Sequence, residues 1–154
     1  MAWIIKYRNL SSKTVTLSGV GGYLEAVVDV INHQPARTLG PGGSDYLSIS
    51  ETAVLDVIAN GEVDFFQGVG LGDDVLWVRI VAPLQVVGIG TSPYWHYYIG
   101  KKWERVSVDG STRTAWSRHD SDTVTTTFNG LQVKMSPVKS HTEITVEVLL
   151  EDAA

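Results

Sequence analysis

Residues 124–135 read Val-Thr-Thr-Thr-Phe-Asn-Gly-Leu-Gln-Val-Lys-Met. On both sides of the central Asn129-Gly130 pair, apolar and polar side chains alternate with a period of two. That period is typical of a β-strand with one buried face. Asn and Gly tolerate the positive φ angles that a type I′ turn requires at both central residues. The stretch therefore predicts a β-hairpin that places one face in a core.

The same signals recur along the chain. Asn60-Gly61 and Asp109-Gly110 each lie between runs rich in Val, Ile, Thr or Phe, and predict two further hairpins. Strand-like patterns also cover residues 3–8, residues 14–17 after a turn at 9–12, and residues 144–148. Many short strands with frequent turns indicate a sandwich or a closed barrel. We expect an all-β fold, a single-domain antiparallel β-sandwich over residues 1–154, with short helices as the alternative at Leu24–Ile31 and Ser50–Ala59.

Composition narrows the possible functions. The 154 residues are 44% hydrophobic and 19% charged, so the chain is globular rather than disordered. The formal net charge of -5 argues against nucleic acid as a partner, because phosphate binding needs a dense basic face. The absence of cysteine excludes disulfides, thiolate nucleophiles and Cys-type zinc sites. The first residues lack the pattern of a signal peptide, so we expect a cytoplasmic protein, or one released non-classically to act at target membranes.

Motifs that would indicate catalysis are weak. The sequence has no Gly-x-Ser-x-Gly elbow, so we do not expect an enzyme, and no cofactor is predicted. Asp120 and Asp122 resemble the start of a calcium loop, but the Gly and Glu that such a loop needs later are missing. The glycines of residues 68–72 and 88–90 precede no helical pattern, so a flexible loop or a strand kink is expected there instead of a phosphate loop.

The densest unusual feature is aromatic. Residues 94–98 read Tyr-Trp-His-Tyr-Tyr and are followed by two lysines and a tryptophan at 101–103. In an alternating strand Tyr94, His96 and Tyr98 would share one face, with Trp95 and Tyr97 on the other; one face would be core and the other would present rings. The candidate lipid- or ligand-binding residues are Tyr94, Trp95, Tyr97, Tyr98, Lys101, Lys102, Trp103 and Arg105.

Tyr and Trp rings at a surface suit three tasks. They settle at the headgroup level of membranes, they stack on sugars, and they anchor protein interfaces. Lys101, Lys102 and Arg105 would add attraction to anionic lipid headgroups. The alternative is a well-filled core with a few singly exposed rings, which is normal for a β-protein.

Five parts of the chain follow a pattern known from one family. They are residues 3–9 with 11–15, residues 39–43 with 47–49, residues 61–65, residues 78–80 through Pro83 and Gly88 to Tyr94-Trp95, and residues 144–146. In these parts the chain resembles the aegerolysins, a family of small acidic β-sandwich proteins. The resemblance implies a first hairpin near the start of the chain, binding to membrane lipids, and pore formation that often requires a larger partner protein.

Three functions therefore remain in view. The first is a membrane-lipid-binding, cytolysin-like protein that acts through the aromatic stretch. The second is a lectin-like protein in which the same rings stack on glycans while Asp73, Asp74 or Asp120 accepts hydrogen bonds from sugar hydroxyls. The third is a structural or assembly subunit in which the rings form a homo-oligomer interface.

Overall fold

The computed structural model describes residues 2–21, 31–50, 62–83, 94–101, 117–119, 121–139 and 143–153. These residues form twelve β-strands and contain no helix. The strands are β1 (Ala2–Asn9), β2 (Val15–Gly21), β3 (Ile31–His33), β4 (Thr38–Leu39), β5 (Ser44–Ser50), β6 (Glu62–Leu71), β7 (Asp74–Pro83), β8 (Tyr94–Lys101), β9 (Ser117–His119), β10 (Val124–Phe128), β11 (Leu131–Lys139) and β12 (Ile144–Asp152).

The strands form two six-stranded sheets that pack face to face. The first sheet has the order β10-β11-β12-β1-β5-β3, and the second has the order β4-β2-β6-β7-β8-β9. The predicted all-β sandwich is confirmed. Its pairs are antiparallel except for β1 and β12, which run parallel from Trp3 beside Ile144 to Asn9 beside Leu150.

The core lies between the inner faces of the two sheets. Its buried side chains come from both sheets and alternate along each strand, as in Ile5 and Tyr7 of β1 and Val146 and Val148 of β12. Full burial of one aliphatic side chain contributes about 1.5–3 kcal/mol relative to an exposed position. The apolar side chains whose period of two predicts the strands are therefore also the side chains that hold the two sheets together.

Tight turns join two neighbouring pairs of strands. The predicted hairpin at Asn129-Gly130 is confirmed, since it joins β10 to β11 with φ angles of 46° and 76°, both positive as a type I′ turn requires. A second turn at Gly72-Asp73 joins β6 to β7, and Gly72 has a φ of 63° at the first central position, as in a type II′ turn. Of the two alternatives expected for residues 68–72, a flexible loop is wrong for 68–71, which belong to β6, and Gly72 lies in the turn.

The hairpin expected between residues 3–8 and 14–17 is wrong. Both strands are present, as β1 and β2, but β1 belongs to the first sheet and β2 to the second. Residues 10–14 therefore cross from one sheet to the other. The fully buried side chain of Asn9 directs this crossing. Its Nδ2 donates to the carbonyl oxygens of Lys13 and Leu39 at 2.8 and 2.9 Å, and its Oδ1 accepts from the Ser11 amide at 3.0 Å. These bonds satisfy loop groups that a hairpin ladder would otherwise have paired.

Several predictions fall outside the described residues. They are the turns at Asn60-Gly61 and Asp109-Gly110, the glycines of residues 88–90, and the ambiguous segments except for Ile31, which begins β3, and Ser50, which ends β5.

Candidate functional site

The aromatic stretch forms strand β8, whose two faces have different surroundings. β8 pairs with β7 on one side and with β9 on the other. Trp95 belongs to the core between the sheets, and Tyr97 and Ile99 pack against that core. Tyr98 instead packs on the outer face of the second sheet, against Val75 and Trp77. The predicted alternation, with one face in the core, is confirmed.

Trp95 requires a correction as a surface candidate. Its side chain is fully buried, and its ring lies 4.9 Å from the His119 ring and 6.5 Å from the Tyr97 ring, between centroids. Because β8 is an interior strand whose inner face meets the first sheet, this ring is part of the core. Trp95 is therefore unavailable to a ligand or membrane at the surface of this structure, whereas Tyr94, Tyr97 and Tyr98 are half-buried.

Aromatic rings and the buried cation Arg79 lie on the outer face of the second sheet. The Phe66 and Trp77 rings meet edge to face at 5.6 Å. Further along β7, Arg79 is 9% exposed and its Nη1 lies 2.9 Å from Nδ1 of His96. Guanidinium is a donor only, so Nδ1 of His96 accepts this hydrogen bond and must be unprotonated. The pair holds the His96 ring in one orientation on this face.

An open depression of about 430 Å³ lies where β7 begins and β8 ends. We call it the end depression. Tyr98 and Lys101 from the candidate set line it together with Asp74 of β7 and with Thr127 and Phe128 of β10, which belongs to the first sheet. Charged and polar residues of both sheets thus line one cavity.

The ion pair of the end depression follows from strand register. Asp74 and Lys101 are direct cross-strand neighbours, and Lys101 Nζ donates to Asp74 Oδ1 at 2.8 Å. The hydrogen bond from Lys101 to Asp74, with the attraction of that carboxylate, raises the pKa of Lys101 above its ordinary value. Lys101 is 79% exposed while Asp74 is 20% exposed, so the ammonium group reaches solvent and its partner stays close to the sheet.

Neighbouring turns form the wall of this end of the sandwich. The Asn129 side-chain amide donates to the Leu71 carbonyl oxygen, which ties the β10–β11 turn to the β6–β7 turn. Lys13 Nζ donates to the Asn129 carbonyl oxygen at 3.0 Å, which brings residues 10–14 to the same end. Leu10, at 49% exposed, is an exposed apolar side chain at this end of the sandwich.

Thr127 and Phe128 of the depression, and the exposed Leu10 at the same end of the sandwich, were not predicted as candidates. The sequence does mark Leu10, because it is an apolar residue inside the polar run Asn-Leu-Ser-Ser-Lys. Nothing in the sequence marks Thr127 and Phe128, since they belong to β10 and reach the depression only because the two sheets pack together. Lys102, Trp103 and Arg105 lie outside the described residues.

The suspected calcium loop shows an ordinary polar contact. Asp122 Oδ2 lies 2.7 Å from Nδ1 of His119, and Asp122 is 58% exposed. Asp120 lies outside the described residues. Among the residues that the structure describes, no group of three His, Asp or Glu side chains is placed to hold a metal ion.

Neither the protein-family models nor the curated proteins compared with this chain give a match. Within the described ranges, no helix has the length and apolar character needed to cross a bilayer.

Proposed function

We propose that the protein binds membrane lipids and that the end depression holds a zwitterionic headgroup such as phosphocholine. The observation that carries this proposal is the Lys101–Asp74 ion pair at 2.8 Å, which lines one open cavity together with residues of the other sheet. A zwitterionic headgroup carries one phosphate and one ammonium group. Lys101 would meet the phosphate, and Asp74 would meet the ammonium group.

The charge of the site favours a neutral headgroup over an anionic one. The charges of Lys101 and Asp74 sum to zero, and the whole chain has a formal net charge of -5. A surface that attracts anionic lipid needs several unpaired cations, each contributing about 1 kcal/mol near the membrane. Here the exposed ammonium group of Lys101 is already paired with Asp74. A zwitterionic ligand is therefore the better match, because its phosphate can pair with Lys101 while its ammonium group pairs with Asp74.

Side chains around the depression support contact with a bilayer. Leu10 is exposed at the same end of the sandwich, and Lys13 stands three residues further along the same loop. A leucine can enter the acyl boundary while a lysine extends its ammonium group to the phosphates. Pore formation, a larger protein partner and homo-oligomers, which the aegerolysin resemblance and the exposed rings suggest, stay predictions.

Sedimentation with vesicles tests the proposal. The full chain would be mixed with vesicles of phosphatidylcholine, of phosphatidylcholine with sphingomyelin and cholesterol, and of phosphatidylglycerol. We expect binding to the two choline-containing mixtures and competition by free phosphocholine. Lys101→Ala and Asp74→Asn should each weaken binding about tenfold, which corresponds to roughly 1.4 kcal/mol.

Lys134→Ala is the matched control, because Lys134 is an exposed lysine on the outer face of the first sheet, away from the end depression. It should bind vesicles like the unchanged chain. No binding to any of the three mixtures would overturn the proposal. Binding to phosphatidylglycerol alone, with equal losses from Lys101→Ala and Lys134→Ala, would also overturn it, since that result describes diffuse charge attraction.

A further inference from the structure

A second open depression, of about 540 Å³, lies on the outer face of the first sheet. We call it the face depression. Strand register arranges its lining in two rows across the sheet. One row places Lys6 between Tyr46 and Glu147, and the other places Ile4 between Ser48 and Thr145, with Val138 beside Thr145. The rows cross β5, β1, β12 and β11, a span of three strand spacings or about 14 Å.

One ring of the face depression is held in place before any ligand arrives. The Tyr46 ring stacks on His33 with centroids 4.0 Å apart and an interplanar angle of 21°. His33 is in turn held by Asp45, whose Oδ1 lies 3.2 Å from His33 Nε2 and whose Oδ2 accepts from the Ala36 amide at 2.9 Å. Tyr46 nevertheless stays 41% exposed. A ring fixed from behind loses little freedom when a ligand stacks on it.

Two charged groups of the face depression are available to a ligand. Lys6 and Glu147 are exposed neighbours in register, yet neither forms an ion pair or a hydrogen bond through its side chain with any described residue. Lysine only donates hydrogen bonds, ionised glutamate only accepts them, and the half-buried Thr145 hydroxyl does both, whereas Ser48 is only 3% exposed. Tyr46 and the exposed Val138 add apolar surface at opposite ends of the rows.

This combination distinguishes among ligand classes. The Glu147 carboxylate and the acidic chain oppose a phosphate backbone. Four of the seven lining side chains are charged or carry aliphatic hydroxyls, which opposes an apolar helix or an acyl chain. A neutral sugar chain fits, because its hydroxyls donate and accept hydrogen bonds while its C–H faces stack on an aromatic ring.

We infer that the face depression binds a neutral oligosaccharide that lies across the four strands, with one sugar stacked on Tyr46 and hydroxyls bonded to Lys6 and Glu147. The span of about 14 Å corresponds to a short chain of sugars rather than to one unit. Asp45 and His33 are positioning residues, since they act through the Tyr46 ring. This site is separate from the end depression, because the two depressions share no lining residue.

An array of neutral di- to tetrasaccharides built from hexoses and N-acetylhexosamines tests the inference with the full chain. We expect binding to at least one array member, followed by calorimetric titration with that same oligosaccharide. Tyr46→Ala and Glu147→Gln should each weaken the measured affinity about tenfold or more. Asp45→Asn should weaken it less, because it leaves the ring present but loosens its support.

Gln132→Ala is the control, because Gln132 is exposed on the same sheet but outside the depression. Circular dichroism would confirm that each variant is folded, and Glu147→Gln, an isosteric change at an exposed position, keeps the test valid if Tyr46→Ala does not fold. The absence of binding to every array member would overturn the inference, as would affinity unchanged by both Tyr46→Ala and Glu147→Gln. The inference would also be overturned if the chain bound no sugar but self-associated, and if Tyr46→Ala abolished that self-association. The face depression would then be a contact with a second copy of the chain.

The inference and the proposed lipid function fail separately. Lys101→Ala should reduce vesicle binding and leave the titration with the oligosaccharide unchanged, and Tyr46→Ala should do the reverse. A single variant that abolished both would show that the two sites are not independent, and it would overturn the separate sugar site.

Discussion

The hydroxyl of Tyr7 donates to Oε1 of Gln67 at 2.8 Å in the middle of the core. Tyr7 belongs to β1 in the first sheet and Gln67 to β6 in the second, and both are buried. This hydrogen bond therefore crosses between the sheets in a region that is otherwise apolar. It fixes how one sheet lies on the other, which apolar packing alone specifies less sharply.

Removal of the Tyr7 hydroxyl should destabilise the fold. Tyr7→Phe leaves the Gln67 carbonyl oxygen buried without its donor, which costs about 1–3 kcal/mol. Urea unfolding would measure the loss in the free energy of unfolding. The double variant Tyr7→Phe/Gln67→Leu removes both partners and should recover part of that loss. Equal stability of the single variant and the unchanged chain would show that the bond contributes nothing.

Alkaline pH should weaken the fold through the same residue. Burial raises the pKa of Tyr7 well above its ordinary value of 10.0. A raised pKa means that the stability contributed by the neutral hydroxyl is complete below the unfolded-state pKa, about 10, and is lost as pH rises through the folded-state pKa. The stability advantage of the unchanged chain over Tyr7→Phe should therefore shrink above pH 10, in urea titrations at a series of pH values. A constant difference from neutral pH upward would contradict this.

Substitution of the glycine in the β10–β11 turn should lower the stability of the fold. Gly130 has a φ of 76°, and a Cβ added there would lie 2.7 Å from Lys13 Nζ. Gly130→Ala should cost about 1–2 kcal/mol because a side chain disfavours the left-handed region. Gly40→Ala is the matched control, since its added Cβ would meet only the Thr14 hydroxyl at 3.8 Å, an ordinary contact. Thermal unfolding should lower Tm for the first variant only, and equal Tm values would contradict the strain argument.

Acid should weaken the support of the Tyr46 ring. Burial acts to raise the pKa of Asp45, but hydrogen bonds from the Ala36 and Tyr46 amides and from His33 outweigh it, so the pKa is lowered from its ordinary value of 3.8. A lowered pKa means that this stability is present above the unfolded-state pKa, about 3.9, and is lost as pH falls through the folded-state value.

The stability difference between the unchanged chain and Asp45→Asn should accordingly shrink as pH falls below 4, measured by denaturant unfolding between pH 2 and 7. Glu151→Gln, at an exposed carboxylate with no side-chain partner among the described residues, should show a smaller dependence. An identical pH profile for both variants would rule out a specific role for Asp45.

The local part of the fold was readable in the sequence. Asn129-Gly130 and the alternation beside it predict the β10–β11 hairpin, because both features depend on residues close together in the chain. The alternation along β8 likewise predicts which of Tyr94 to Tyr98 share a face. It leaves open which face is core, and only the packing of the first sheet on the second assigns Trp95 to the interior.

Local sequence predicts several of the β-strands, the turn at Asn129-Gly130 and the clustering of rings in β8, since backbone preference and side-chain alternation are local properties. Sheet packing and strand pairing account for the other features. They separated β1 from β2, paired β1 in parallel with β12, brought Thr127 and Tyr98 to one depression, and placed Tyr46 beside Lys6. These contacts join residues distant in the chain, and they form because two apolar sheet faces bury each other, which leaves no signal near either partner.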